Sequence, residues 1–272
     1  MRSQPLLLHR ELTKLGGLTS LTLCRRWQAC YNVGHTDEYA AVAMPNLTGV
    51  VTSLQGLHIL DLSGVADSIP AGFSSLKQLR MLCISGFDQD GAAFTISPDF
   101  AACSKLESLV LDGLTWASAD TFVQICSTLC HLPALSRLEV IGPDLPGTDL
   151  AACSFNSNLV HLTLDCALPL LPPGVLGLTK LTYLLFAQAE STGSGVPAVG
   201  PYLQSLTDIT LWASPSKLDS EFLAAAPKLL HVNLEEDGVI DIPNEAIKSL
   251  LGRLPAGGSI SWNDLDFDRP SS

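Results

Sequence analysis

The 272-residue sequence specifies an α/β fold of short stacked units, each supplying one strand to a parallel β-sheet. Three observations predict it. An apolar triplet spaced L-x-x-L-x-L recurs nine times in near-regular succession. Each unit is too small to bury its own leucines, so neighbouring copies must stabilise one another. A hydrophobic fraction of 47% against 15% charged residues excludes a disordered or linker-like chain.

In chain order the triplets are Leu18, Leu21, Leu23; Leu57, Leu60, Leu62; Leu79, Leu82, Ile84; and Leu106, Leu109, Leu111. They continue as Leu135, Leu138, Val140; Leu159, Leu162, Leu164; Leu181, Leu184, Phe186; Leu206, Ile209, Leu211; and Leu229, Val232, Leu234. The first step is 39 residues and the rest run from 22 to 29. With about half of all residues apolar, one such triplet arises by chance roughly one time in eight, so the succession carries the argument. Six copies carry a further Leu three residues upstream: Leu15, Leu54, Leu76, Leu132, Leu178 and Leu203. The closing L-x-L alternates like a strand with one buried face, and the L-x-x-L before it leads in from a tight turn.

This pattern resembles the leucine-rich repeat family over residues 15 to 240. The resemblance implies a right-handed solenoid with its sheet on the concave side and short helices or irregular segments on the convex side. Ile69-Pro70-Ala71-Gly72-Phe73 and Leu171-Pro172-Pro173-Gly174-Val175 are short, Pro-fixed returns similar to plant-type members. Longer copies have room for a helix. Ser97 through Cys103 offers a cap residue and then Pro, and Ser118 through Cys130 puts Phe122, Ile125, Cys126 and Leu129 on one face. Ala101-Ala102-Cys103-Ser104, Ala151-Ala152-Cys153-Ser154 and Ala224-Ala225-Ala226 are expected to let a helix approach the strand layer closely. The chain departs from the family where Asn or Cys usually follows the triplet, with residues such as Arg26, Val65, Leu114 and Pro143 there instead. The turns are therefore expected to rely on water or backbone contacts.

The organisation read from these signals is an amino-terminal segment 1–14, a repeat region 15–240 and a carboxy-terminal cap and tail 241–272. Residues 24–50 form an insertion or degenerate copy that holds Arg25, Arg26, Trp27 and Tyr31 and is expected to cover the open end of the core. Ser191 through Gly195 reads as a small-residue loop. Asn244 through Leu254 reads as an amphipathic helix with Ile247, Leu250, Leu251 and Leu254 inward, followed by a last strand at Ile260 and Trp262 and an acidic, polar tail from Asp264 to Ser272 whose end is expected to fray.

Fifteen Lys and Arg against 27 Asp and Glu give a net charge of -12, which disfavours nucleic acid and acidic membranes as partners and favours a basic one. Leu6, Leu7 and Leu8 are too few for a secretory signal, no segment has the roughly 20 apolar residues of a membrane span, and the expectation is a cytoplasmic protein. Cytoskeletal or axonemal association is the alternative to a free cytoplasmic location. The eight cysteines read as free thiols; Cys126, Cys130 and His131 lack the second ligand cluster of a metal site. The sequence contains no nucleophile elbow, HExxH helix, phosphate loop or dinucleotide fingerprint, so neither an enzyme nor a cofactor is expected.

Binding is the better-supported activity. Residues before, between and after the two strand leucines should point to the concave face. The candidate partner-binding residues there are Asp61, Asp112, Glu139, His161 and Asp165, then Tyr183, Asp208, Trp212, His231 and Glu235. Asp112, Glu139 and Asp165 fall on three successive strands and are expected to form one acidic patch, with Tyr183 and Trp212 as an aromatic pair just beyond. The reading is a non-enzymatic scaffold or adaptor that binds a protein offering a basic or mixed apolar segment. The alternative is the sensing part of a receptor or immune-type protein.

Overall fold

The computed structural model describes residues 17–23, 47–63, 68–69, 71–86, 94–114, 118–142, 152–168, 170–188, 197–212, 218, 220–235, 244–263 and 265–269. Thus the readings of 1–14, of 191–195 and of most of 24–50 lie outside the described residues. The strands are β1 (Ser20–Thr22), β2 (Ile59–Asp61), β3 (Ser68–Ile69), β4 (Met81–Ser85), β5 (Thr95–Ile96), β6 (Ser108–Asp112) and β7 (Arg137–Ile141). They continue as β8 (His161–Leu168), β9 (Tyr183–Gln188), β10 (Asp208–Leu211), β11 (His231–Leu234), β12 (Ser259–Trp262) and β13 (Leu265–Asp268).

All nine triplets enter one eleven-stranded sheet, ordered β1-β2-β4-β6-β7-β8-β9-β10-β11-β12-β13. Its register is a continuous rung of aliphatic side chains: Leu21, Leu60, Leu82, Leu109, Leu138, Leu162, Leu184, Ile209, Val232 and Ile260 are successive parallel partners. A second rung runs from Ile84 through Leu111, Val140, Leu164, Phe186, Leu211 and Leu234 to Trp262. Both rungs are buried, and with the residues of the returning segments they make one core. This is an α/β leucine-rich-repeat solenoid with a parallel concave sheet.

The convex side follows the lengths of the returning segments. Helix α1 (Leu47–Ser53), α2 (Ala119–Leu129), α3 (Ser220–Ala225) and α4 (Asn244–Arg253) occupy four copies. Ser118 caps α2 by accepting from the Thr121 backbone N–H at 3.3 Å, and Phe122, Ile125, Cys126 and Leu129 are its buried stripe. In α4, Ile247, Leu250 and Leu254 are buried while Leu251 is only half-buried. The shorter returns are single 3-10 turns, including Phe73–Ser75, Pro98–Ala102, Pro173–Val175 and Pro201–Gln204. Pro98–Ala102 is therefore tighter than the α-helix its cap residue suggests. In the Ala-Ala-Cys segments it is Cys103 and Cys153 that are buried while Ala102 and Ala152 are exposed, so the thiols and not the alanines fill the gap against the sheet. No helix among the described residues is long and apolar enough to cross a membrane.

Within the tail, whose end lies outside the described residues, Leu265–Asp268 forms a strand antiparallel to β12, bringing Phe267 opposite Ile260 and half-burying it against the core. The sequence signal, Leu265 and Phe267 alternating with two aspartates, is short and acidic, and only pairing with a preformed edge stabilises it.

Backbone bonds tie each copy to the next, while the turns after the triplets, where asparagine is missing, lie mostly outside the described residues. Ahead of each strand one carbonyl accepts two N–H groups of the next copy: His58 O from Arg80 N and Met81 N, Glu107 O from Ser136 N and Arg137 N, and Thr182 O from Thr207 N and Asp208 N. Ser136 and Thr182 add their hydroxyls to the same carbonyl series. The upstream leucine position also has a pattern. Where Leu is absent it is held by Cys103, Asn156 and Ala226. The Cys103 thiol donates to Phe73 O at 3.4 Å and the Asn156 amide to Leu132 O, each tying a copy to the one before.

Asp99 provides a further tie. Its Oδ2 accepts from Gly72 N at 2.9 Å and from Ser74 Oγ at 2.9 Å. The Ser97 hydroxyl, the Gly72 N–H and the Ser74 hydroxyl stabilise the carboxylate and hold its pKa below the usual aspartate value. A depressed folded pKa gives stability that is fully present above the unfolded pKa and is lost as pH falls through the folded one. Urea unfolding from roughly pH 5 downwards should therefore show a shallower acid loss in Asp99→Asn than in wild type. An unchanged acid limb would show that Asp99 contributes nothing to it.

Candidate functional site

The concave face carries three rows of side chains, one per position around the buried rungs. The leading row reads Ser20, Ile59, Met81, Ser108, Arg137, His161, Tyr183, Asp208, His231 and Ser259. The middle row holds Asp61, Glu139 and Asn233; the trailing row holds Asp112 and Asp165 on either side of Ile141, and Trp212 and Glu235 follow the ends of β10 and β11.

Near the middle of the sheet the charges are already paired. Arg137 Nε donates to Glu139 Oε1 at 2.7 Å, and Arg137 Nη2 meets the same oxygen. His161 Nε2 lies 3.3 Å from Glu139 Oε1 and 3.4 Å from Thr163 Oγ1. The imidazole stacks on the Tyr183 ring, with centroids 4.1 Å apart and planes 2° from parallel. Burial and then the Arg137 charge push the His161 pKa down, outweighing Glu139, so near neutral pH this contact is a hydrogen bond of a neutral imidazole.

This pairing changes the expected grouping. Asp112, Glu139 and Asp165 do lie on successive strands, but Glu139 stands in the middle row with its charge engaged by Arg137, while Asp112 and Asp165 stand in the trailing row on either side of Ile141. Among the described residues neither of those two carboxylates has a hydrogen-bond or ion-pair partner. The Asp165 pKa is raised, first by burial and then by the Asp112 charge, which places the two close enough to repel. Tyr183 and Trp212 are likewise separated. Tyr183 opens β9 opposite Asp208, and Trp212 follows the end of β10, four residues further along or about 13 Å at the usual rise per residue.

The other candidates are held locally. Asp61 Oδ1 accepts from Ser63 N at 3.0 Å and Ser63 Oγ at 2.5 Å. Thr207 Oγ1 donates to Asp208 Oδ2 at 2.5 Å, His231 Nδ1 shares a hydrogen bond with Ser259 Oγ at 2.8 Å, and Asn233 Nδ2 donates to Glu235 Oε1 at 3.2 Å. Thr163, Thr210 and Ala187, which the alternation places outward, are buried because bulkier neighbours close over these short side chains. The face also holds an apolar pair the sequence list omitted: Ile59 and Met81, adjacent in the leading row and 41% and 42% exposed. Their signal was available, since both stand immediately before a strand leucine.

Off this face, the Cys126 thiol is hydrogen-bonded to Cys153 and fully buried, and both effects keep it protonated well above the usual thiol range. Such thiols pack and do not react. Among the described residues no three His, Cys, Asp or Glu side chains come together in a group that could hold a metal ion.

No protein-family model matches the chain, and neither does any curated protein. Among solved structures it is similar to human trophoblast glycoprotein (TM-score 0.43, 22% identity, covering 72% of this chain and 67% of that one). It is also similar to a leucine-rich-repeat protein of Leptospira interrogans (0.41, 14%, covering 78% and 61%) and to an internalin of Listeria monocytogenes (0.41, 15%, covering 93% and 62%).

Proposed function

We propose that this chain is a non-enzymatic interaction scaffold that binds another protein on its concave face, and that the partner offers a basic or mixed apolar segment. One observation carries the reading: every copy places its aliphatic rungs on one side of the sheet, and on the other side Trp212, Ile59 and Met81 are exposed on the face that also carries Asp61, Asp112 and Asp165. Large apolar groups exposed beside charges have the composition of an interface. The net charge of -12 favours a basic partner. A cytoplasmic location is part of the proposal, supported by six cysteines among the described residues that form no disulfide, which suits a reducing compartment.

Affinity capture from the native cell with wild type, Trp212→Ala and Asp165→Lys tests the face. Asp165 is half-buried and Trp212 38% exposed, so the variants should keep the wild-type circular dichroism with at most a modest fall in thermal midpoint while losing most of the recovered partner. Undiminished recovery by both would remove the concave face from consideration.

A further inference from the structure

Two unusual features of the concave face lie side by side at the amino ends of β2, β4, β6 and β7. The leading row there reads Ile59, Met81, Ser108 and Arg137, each the parallel partner of the next. Ile59 and Met81 are exposed, and the middle row beside them continues the apolar surface with half-buried Cys83 and Val110. Ser108, next to Met81, is 8% exposed, and its hydroxyl is buried without a hydrogen-bond partner. Among the described residues it is the one such side chain on this face, since Asp99 lies on a returning segment and Trp262 in the buried rung.

A buried hydroxyl left unpaired destabilises the free chain, and alanine would fill the same place without that penalty. A ligand that completes the hydroxyl accounts for it. Met81 stands beside Ser108 on the neighbouring strand, and its unbranched side chain can swing aside to open the hydroxyl. Ser108 then offers a donor, and Arg137, which meets Glu139 through Nε and Nη2, keeps Nη1 for a second. Two donors call for an acceptor, and the apolar surface next to them calls for an aliphatic side chain. Glu107 immediately precedes Ser108 and Glu139 lies opposite Val110, so a carboxylate would meet two charges of its own sign where a backbone carbonyl would not. We infer that this corner of the concave face takes an extended, uncharged segment of a partner protein. An aliphatic side chain of that segment lies on Ile59 and Met81, and the backbone carbonyl beside it accepts from the Ser108 hydroxyl. This inference rests on the concave-face reading above and adds where the apolar part of the partner sits and which polar group fixes it.

Carbon-13 methyl NMR on the full chain tests it with the Met81 methyl as reporter; Met1 and Met44 are the other methionines, and Met81→Leu assigns the signal. The probe is the uncharged peptide acetyl-Gly-Leu-Ser-Leu-Gly-amide. Its control, acetyl-Gly-Ser-Ser-Ser-Gly-amide, keeps the backbone without the aliphatic groups. The leucine probe should move the Met81 methyl saturably and bind at least about tenfold more tightly than the control. Ser108→Ala should weaken the leucine probe about fivefold and raise the thermal midpoint of the free chain by about 2 °C, a pair of effects that a merely structural hydroxyl would not give. Trp212→Ala, beyond the carboxy end of β10, should leave the peptide affinity unchanged. The inference is overturned by no movement of Met81, by equal affinity for both peptides, or by tighter binding of acetyl-Gly-Leu-Asp-Leu-Gly-amide. A Ser108→Ala chain that gains no stability or binds the probe as well as wild type overturns it too. Broadening of Met81 that follows protein concentration alone would assign the corner to a second copy, against the inference. If Trp212→Ala still loses the native partner while the peptide leaves Met81 untouched, this corner falls and the concave face stands.

Discussion

Replacing Leu162 with alanine should lower the unfolding free energy by about 3 kcal/mol, one of the largest losses available from a single side chain here. Leu162 is fully buried in the middle of the aliphatic rung, between Leu138 and Leu184 on the two neighbouring strands. The cost combines the lost transfer free energy of the removed methyl groups with a cavity that a parallel sheet cannot close, because the backbone on both sides is fixed by ladder hydrogen bonds. In a stack where each copy touches only its neighbours, the damage should concentrate around β7, β8 and β9. Urea titration read by circular dichroism gives the magnitude, and amide hydrogen exchange gives the location. A loss below about 1 kcal/mol would mean that the rung is not the continuous core described. Leu251→Ala on α4, half-buried at the carboxy end, should cost clearly less.

Alanine in place of Gly86 should cost about 2 to 3 kcal/mol for a different reason, overpacking against backbone. A Cβ there would stand 2.5 Å from the Gly113 carbonyl oxygen and 2.9 Å from the buried Leu114 Cδ2. The approach is close because Gly86 N donates to Asp112 O at 2.7 Å, and Gly113, in the left-handed region at φ 58°, turns its own carbonyl towards Gly86. Relief requires parting the ends of β4 and β6, which moves Asp112. Gly86→Ala should therefore lower the thermal midpoint and also weaken partner recovery, although Gly86 has no side chain to offer a partner. A midpoint equal to wild type would show that the two turns have slack the geometry does not suggest. Gly177→Ala, whose Cβ would meet nothing within 4 Å, is the matched control.

Much of the fold was legible because the leucine spacing encodes it directly. The triplets mark each strand, and α2 and α4 follow from Ser118 and from the stripes ending at Leu129 and Leu254. Less regular elements escaped because their signals are local and weak. Pro98–Ala102 carries a helix-start signal but has only one turn of chain before Cys103 must enter the core. Leu265–Asp268 has too few apolar residues to announce a strand without the β12 edge beside it. Cys103 and Asn156, in the place of the upstream leucine, gain meaning only when the carbonyls of Phe73 and Leu132 are brought opposite them.

The candidate face divides in the same way. Alternation identifies which residues leave the core, so Asp112, Asp165, Tyr183 and Trp212 could all be named from spacing. It could not group them, because grouping depends on which row each residue occupies and on what stands beside it. Glu139 is separated from the two aspartates by its row and by Arg137, and Tyr183 is drawn to His161, at the opposite end of the strands from Trp212.

The sequence alone determined the one-dimensional pattern: which leucines are buried, how often a strand recurs, and the excess of negative charge. Those properties depend on composition and on neighbours close along the chain, which hydrophobicity and strand geometry read without reference to the rest. Tertiary structure decided how the charged groups assemble: Arg137 reaches Glu139 within one strand, but His161 and Tyr183 join them only from neighbouring copies more than twenty residues along the chain. Only the stacked register sets Asp112 and Asp165 on either side of Ile141.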